Sequence, residues 1–283
     1  MSNEASYAVL EPTMSRRHAA GAEGARGLLF TVLGEFVLPT GGVAWTSAFI
    51  DVMARLGIEE KAGRQALMRT AADGWLTSER VGRRTRWRLT DSAVRLLTEG
   101  TERIYGFTGS TPDWDGRWLL VMARVPETDR PARHLLRTRL SWAGLGSPTP
   151  GLWISTHTER IVEVERVLDD AGLIEEARIF VAEHRRGDLD AMVGQAWDLG
   201  AIDQCYRQFL EDFAGSSPAD PQARLIDLVH AWRRFPWTDP ALPPELLPRP
   251  WHGLKAVKLF HRRHGKWAAD ALTQWTRLNA GEG

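Results

Sequence analysis

Residues Glu59–Thr90 read EEKAGRQALMRTAADGWLTSERVGRRTRWRLT, and their pattern decides the fold of the N-terminal part of the chain. A helix over Glu59–Asp73 places residues 61, 64, 65, 68 and 72 on one face, because side chains three and four apart lie along the same side of a helix. That face carries Lys61, Arg64, Gln65 and Met68, with Arg69 beside it. The opposite face carries Gly63, Ala66, Leu67 and Thr70, small enough to pack closely on a preceding helix. Gly74 suits the left-handed residue that ends many helices. Trp75-Leu76 and Trp87-Arg88-Leu89 alternate like paired strands, and Val81-Gly82-Arg83-Arg84 supplies the turn between them. Arg80, Arg83, Arg84, Arg86 and Arg88 crowd this hairpin. The outline is that of a recognition helix followed by a wing, the DNA-contacting half of a winged helix-turn-helix. The plainer alternative is a solvated helix and a surface hairpin.

The residues before this stretch supply the rest of such a unit. Residues 1–24 are small, polar and without periodicity, which predicts a flexible tail in which Arg16-Arg17-His18 is solvated. Ala25–Leu38 reads as a helix with Leu28, Leu29, Val32 and Phe36 at helical spacing, ended by Pro39-Thr40-Gly41-Gly42. Thr46 is placed to cap a second helix running to Leu56, with Phe49, Ile50 and Met53 inward. Leu56-Gly57-Ile58 then makes the tight turn that a helix-turn-helix needs. After the hairpin, Thr90 or Asp91 caps a further helix through Ile104.

Composition sets outer limits. No segment approaches the ~20 uninterrupted apolar residues of a membrane span, and the N-terminus lacks the apolar core of a secretory signal. Cys205 is the sole cysteine, which leaves no disulfide framework or thiolate metal cluster and suits the cytoplasm. Lys plus Arg and Asp plus Glu each number 36, so a DNA-binding reading rests on local basic clusters and not on net charge. The chain has 13 Trp, which read mainly as core and interface, with some available to line a slot for an aromatic or acyl ligand.

Thr108-Gly109-Ser110-Thr111-Pro112-Asp113 reads as a linker. Beyond it, strands at Trp118–Val125, Leu152–Ser155 and Ile174–Glu183 alternate with helices at Arg130–Ala143 and Thr158–Ala171, while Gly144–Gly151 reads as a loop. The order β-α-β-α-β suggests a small ferredoxin-like α+β unit with an edge strand that can pair with a second copy. Asp190–Phe213 and Gln222–Arg234 read as helices, Phe235–Trp251 as a packed Pro-rich connector, and Leu254–Leu278 as one or two closing helices.

Several runs resemble the PaaX family of transcriptional repressors. They are AGRQALMRTAADGWL, Trp114-Asp115-Gly116-Arg117-Trp118, Pro150-Gly151-Leu152-Trp153-Ile154-Ser155, Ala196-Trp197-Asp198-Leu199 and Arg233-Arg234-Phe235-Pro236. With them go Asp239-Pro240 and Leu242-Pro243-Pro244-Glu245-Leu246-Leu247-Pro248. The resemblance covers nearly all of the chain after residue 24, with Ala93 where the family usually has Gly. It implies an α+β protein of three parts. These are an N-terminal winged helix-turn-helix over 25–108, a central ferredoxin-like domain over 113–187 that dimerises, and a C-terminal helical domain over 188–283 that senses ligand with the central one. It further implies a cytoplasmic homodimer on a pseudo-palindromic operator, without cofactor, released by an aryl-acetyl-CoA thioester, typically phenylacetyl-CoA. A relative serving another catabolic or secondary-metabolite pathway, with a different ligand, is the first alternative, and an acyl-CoA-acting enzyme the lesser one.

Lys61, Arg64, Gln65 and Arg69 are the candidates for base edges, since Arg and Gln pair bidentately with G and A. Arg83, Arg84 and Arg86 are the candidates for phosphates or the minor groove. An acyl-CoA asks for an apolar slot rimmed by cations, for which Trp114, Arg117, Trp118, Trp153, Trp232, Arg233 and Arg234 are candidates. An enzyme has little support: Ser155 and His157 lack a nucleophile-elbow context and read as a surface pair. No Gly-rich phosphate loop is present. His261 and His264 stand three apart in a helix, where a solvated basic face outweighs a metal site. Cys205 reads as core.

Overall fold

The computed structural model describes residues 24–111, 113–125, 129–215 and 220–281. The tail over 1–23, Pro112 of the expected linker and residues 216–219 lie outside them. The chain divides into two compact units that do not follow chain order. The first takes Met1–Gly106, Gly215–Arg234 and Leu259–Gly283; the second takes Phe107–Ala214 and Phe235–Lys258.

The first unit opens with α1 (Ala25–Val32), which continues as a wider π turn over Leu33–Val37. Then follow β1 (Val43–Trp45), α2 (Thr46–Arg55), α3 (Glu60–Ala72), β2 (Leu76–Val81), β3 (Arg84–Leu89) and α4 (Asp91–Gly106). The buried residues of α3 are Gly63, Ala66, Leu67 and Thr70, the face of small residues expected to pack. A Cβ on Gly63 would lie 3.0 Å from Ile50 Cδ1, so a larger residue there would require Ile50 to shift for α2 and α3 to stay this close. Gly57 turns the chain between them with φ 76°. The hairpin joins β1 in an antiparallel sheet of order β1-β3-β2, with Ala44 opposite Trp87 and Leu76 opposite Leu89. The sequence offered no sign of β1. Thr46 begins α2 and does not cap it; its hydroxyl donates to the Thr85 carbonyl and accepts from Trp87 Nε1. Thr90 does cap α4, accepting from the Ala93 N–H at 3.3 Å.

Two distant segments complete this unit, α9 (Pro221–Trp232) and most of α11 (Gly253–Ala280). Trp275 is fully buried, with Phe36 stacked on it at 5.6 Å and Phe49 at 5.7 Å. Phe260 stacks on Trp232 at 4.6 Å, and Trp232 Nε1 donates to the Ile104 carbonyl. His230 meets the Thr31 hydroxyl at 3.1 Å. Burial and the nearby Arg233 and Arg234 push this imidazole down to about 4, so it is neutral at physiological pH.

The second unit is built on β4 (Arg117–Met122), α5 (Arg130–Trp142), β5 (Gly146–Thr149), β6 (Leu152–Ser155), α6 (Ile161–Asp170) and β7 (Arg178–Glu183). The strands form one antiparallel sheet of order β5-β6-β4-β7. The connectivity is therefore β-α-β-β-α-β: β5 forms within Gly144–Gly151, and residues 174–177 turn before β7 begins. Leu119, Val121 and Trp153 face Leu136, Leu140, Val164 and Leu168 on one side of the sheet. Trp118 and Ile154 face Val193, Leu199, Leu242, Leu246 and Leu247 on the other. The last five belong to α7 (Leu189–Ala196), α8 (Leu199–Phe213) and the Pro-rich connector, which contains a short helix α10 (Phe235–Thr238). The helical stretch Asp190–Phe213 breaks at Trp197, and Asp198 caps α8 through the Ala201 N–H.

The connector is tied down from several directions. Ser110 and Thr111 donate to the carbonyls of Leu242 and Ala241, and His157 Nε2 lies 3.0 Å from the Pro240 carbonyl. Tyr206 donates to Asp239 Oδ2 at 2.5 Å, and Ala241 N–H donates to Oδ1 at 2.7 Å. Burial nevertheless raises the Asp239 carboxyl to about 6. The native state thus holds this proton more tightly than an unfolded chain, where aspartates titrate near about 3.9. Its contribution to stability is full below about 4 and is lost as pH rises through about 6. Asp239→Asn, which mimics the protonated acid, should therefore stand nearest the wild type at pH 4 and gain on it as pH rises through about 6 in thermal melts. A difference independent of pH would contradict this.

Candidate nucleic-acid interface

The outer face of α3 presents Lys61, Arg64, Gln65, Met68 and Arg69, all exposed, and together with Glu60 they line one open surface. Met68 is 62% exposed on this face. Arg64 is tied to Glu60 one turn earlier by its Nε at 2.8 Å and Nη2 at 2.7 Å. Both partners are more than half exposed, so the pair contributes little to stability. Its effect is to hold the guanidinium along the helix.

On the hairpin, side-chain alternation puts Arg84, Arg86 and Arg88 on one face and Trp87 and Leu89 in the core. Cross-strand register places Trp45, Arg86 and Glu79 in one row. Arg86 is bound by Glu79 through Nε at 2.9 Å and Nη2 at 2.7 Å. The Arg84 guanidinium lies over the Trp45 ring, 4.2 Å from its centroid, and that of Arg86 lies 5.9 Å away. Arg83 stands exposed in the turn. All seven residues expected to meet nucleic acid thus lie in one compact unit. Sequence reading missed the two acids that restrain them and the tryptophan that carries the wing arginines. Glu60 was visible from its four-residue spacing to Arg64; Glu79 and Trp45 became visible only through strand register.

The seven candidates for a ligand are divided between the two units. Trp114, Arg117, Trp118 and Trp153 belong to the second unit, and Trp232, Arg233 and Arg234 to the first. Trp118 and Trp153 lie in cores on opposite faces of the same sheet. Trp114 packs edge-on to Trp118 at 5.2 Å and donates to the Arg117 carbonyl, while Arg117 pairs with Asp115. Trp232 is fully buried, and burial lowers the guanidinium of Arg233 to about 10.

Other chemical candidates are also placed. Ser155 and His157 are buried, not a surface pair. The His157 ring is engaged by Glu159 and the Pro240 carbonyl, and Ser155 Oγ accepts from the His157 backbone, so no nucleophile–base geometry exists between them. His264 is half-buried and not a fully solvated residue: its Nε2 lies 2.8 Å from Glu35, which also accepts from Tyr105. Cys205 is half-buried. Among the described residues no group of three or more His, Cys, Asp or Glu is disposed to hold a metal, and no helix is long and apolar enough to cross a membrane.

A helix with a cationic outer face beside a basic hairpin is a unit suited to lie against a polyanionic duplex. Comparison with known proteins adds the family. Residues 24–93 match the PaaX-like protein family, 111–193 the PaaX protein central Cas2-like domain, and 197–277 the PaaX-like protein C-terminal domain. The chain is 30% identical over 273 residues to the transcriptional repressor PaaX of Escherichia coli (strain K12), covering 90% of this chain and 85% of that one. The fold is also similar to that of the uncharacterized protein Rv0674 from Mycobacterium tuberculosis. That likeness has a TM-score of 0.58 and 24% identity, over 91% of this chain and 98% of the other. The chain belongs to the PaaX family.

The acids at this face set up a test. Glu60 would stand close to DNA phosphates, and two like charges about 4 Å apart in water repel by about 1 kcal/mol. Glu60→Gln should therefore bind duplex DNA about threefold to tenfold more tightly at low salt by fluorescence anisotropy; weaker binding would show that the Glu60–Arg64 pair is required.

Proposed function

We propose that this protein is a ligand-responsive transcriptional repressor that acts in the cytoplasm on duplex operator DNA and is not an enzyme. The observation that carries the reading is the exposed face of Lys61, Arg64, Gln65 and Arg69 on α3, in the same compact unit as the hairpin arginines Arg83, Arg84 and Arg86. The relative from Escherichia coli, a transcriptional repressor by name, supports it. In this reading α3 enters the major groove, with Arg64 and Gln65 at base edges, and the β2–β3 hairpin is the wing that lies on the backbone.

The β-α-β-β-α-β unit is read as a ferredoxin-like domain that pairs with a second copy, which would set two reading heads about 34–36 Å apart, or a multiple, on a pseudo-palindrome. The effector is read as an aryl-acetyl-CoA thioester; of the aromatic and cationic candidates Arg117 is exposed and Trp114 and Arg234 are half-buried. A ligand that favours the DNA-incompetent state by about 1–3 kcal/mol would lower operator affinity by about 5–150-fold.

The probe is a labelled duplex from upstream of the protein's own gene. Arg64→Ala should weaken binding and relax sequence preference. Arg84→Ala should weaken binding to all sequences and reduce the slope of log affinity against log salt by about one. Unchanged affinity in both variants would overturn the assignment of the reading face. Added phenylacetyl-CoA should release the duplex; retention would reject that effector while leaving the repressor reading in place.

A further inference from the structure

β1 is an edge strand of the three-stranded sheet, and one side chain from the far end of the chain closes that edge. Asn279 Oδ1 accepts from the Trp45 N–H at 2.9 Å, and Asn279 Nδ2 donates to the Val43 carbonyl at 3.0 Å. A single carboxamide thus satisfies a backbone donor and acceptor on either side of Ala44, as a residue of a neighbouring strand would. The strand it grips is three residues long and presents half-buried Trp45 on its outer side. That ring is the platform under Arg84. Gly281, two residues past Asn279, lies against the same guanidinium: a Cβ there would be 3.1 Å from Arg84 Nη1 and 3.2 Å from Nη2. The end of α11 therefore reaches the wing arginine through Trp45, and Gly281, just past the helix, lies beside the same guanidinium.

We infer that Asn279 is a positioning residue for the wing: by clamping β1 it fixes the Trp45 platform and so the direction in which Arg84 is presented. Its consequence for DNA rests on the reading of the hairpin as a DNA-contacting wing; the clamp itself does not. Arg84 carries five donors on a flexible stem, and exposed arginines lose rotamer entropy when they bind phosphate. A guanidinium already resting on an aromatic face loses less. Without the clamp, a three-residue edge strand keeps only its pairing to β3.

Two measurements on the full chain separate the two halves of the inference. Hydrogen exchange should show the Trp45 amide of Asn279→Ala exchanging at least about tenfold faster than wild type, with the melting transition and far-UV spectrum retained; unchanged exchange at Trp45 would overturn the clamp. On the duplex from upstream of the protein's own gene, Asn279→Ala should weaken binding by roughly fivefold, the scale of one net hydrogen bond. The Asn279→Ala, Arg84→Ala double variant should bind no worse than Arg84→Ala alone, because both changes remove the same contact. Additive losses, or unaltered affinity in Asn279→Ala, would overturn the route through Arg84. If wild type itself bound no duplex, the proposed function would fall, while the exchange result would still decide the clamp.

Discussion

The fully buried ring of Trp275, enclosed by Phe36 and Phe49, is the contact on which the first unit depends. It joins a helix within the last residues of the chain to the π turn and the second helix of the N-terminal segment. Removing a tryptophan so placed typically costs about 3–5 kcal/mol, a large part of the stability of a small domain. Around it, Gln222 reaches the Ala271 carbonyl, His264 reaches Glu35, and Phe260 stacks on Trp232 and Tyr105. The unit that carries the cationic helix and hairpin is therefore assembled from three separated segments, and its N-terminal helices share their core with the two distant ones.

That assembly accounts for how an electrically balanced chain can offer a surface for nucleic acid. Its cations are not simply abundant; they are placed. The buried face of α3 is made of small residues, which brings the helix close to α2 and turns its long polar side chains outward. The hairpin register puts Arg84 and Arg86 on the outer side and Trp87 and Leu89 inside. Glu60 and Glu79 then hold two of the arginines in extended poses. Such exposed pairs are worth little energetically but restrict where the guanidinium goes.

The helices of this protein were legible from the sequence because their apolar positions recur at a helical period over three or four turns. The outer face of α3 was legible for the same reason, read as the complement of Gly63, Ala66, Leu67 and Thr70. Short strands carry no such period. β1 has three residues and β5 four, and Gly146 in β5 is explained only by Trp197, whose ring a Cβ at that position would strike. The break at Trp197 was hidden because Asp198 is an ordinary residue until seen accepting the Ala201 N–H. Trp118 and Trp153, two of the tryptophans proposed for a ligand, turn to opposite faces of a sheet, a matter of strand parity that composition does not show. Above all, nothing local in Leu259–Ala280 announces that it packs with residues more than two hundred positions earlier, as the Asn279 bonds to Val43 and Trp45 do.

The most direct measurement is the amide NMR spectrum of residues 24–106 expressed alone. If the unit depends on Trp275 and its neighbours, the fragment should give the narrow dispersion of a chain without fixed tertiary packing. Adding a separate peptide of residues 253–281 should restore dispersion at least in part. A well-dispersed spectrum from the fragment by itself, with the hairpin amides protected from exchange, would contradict the account.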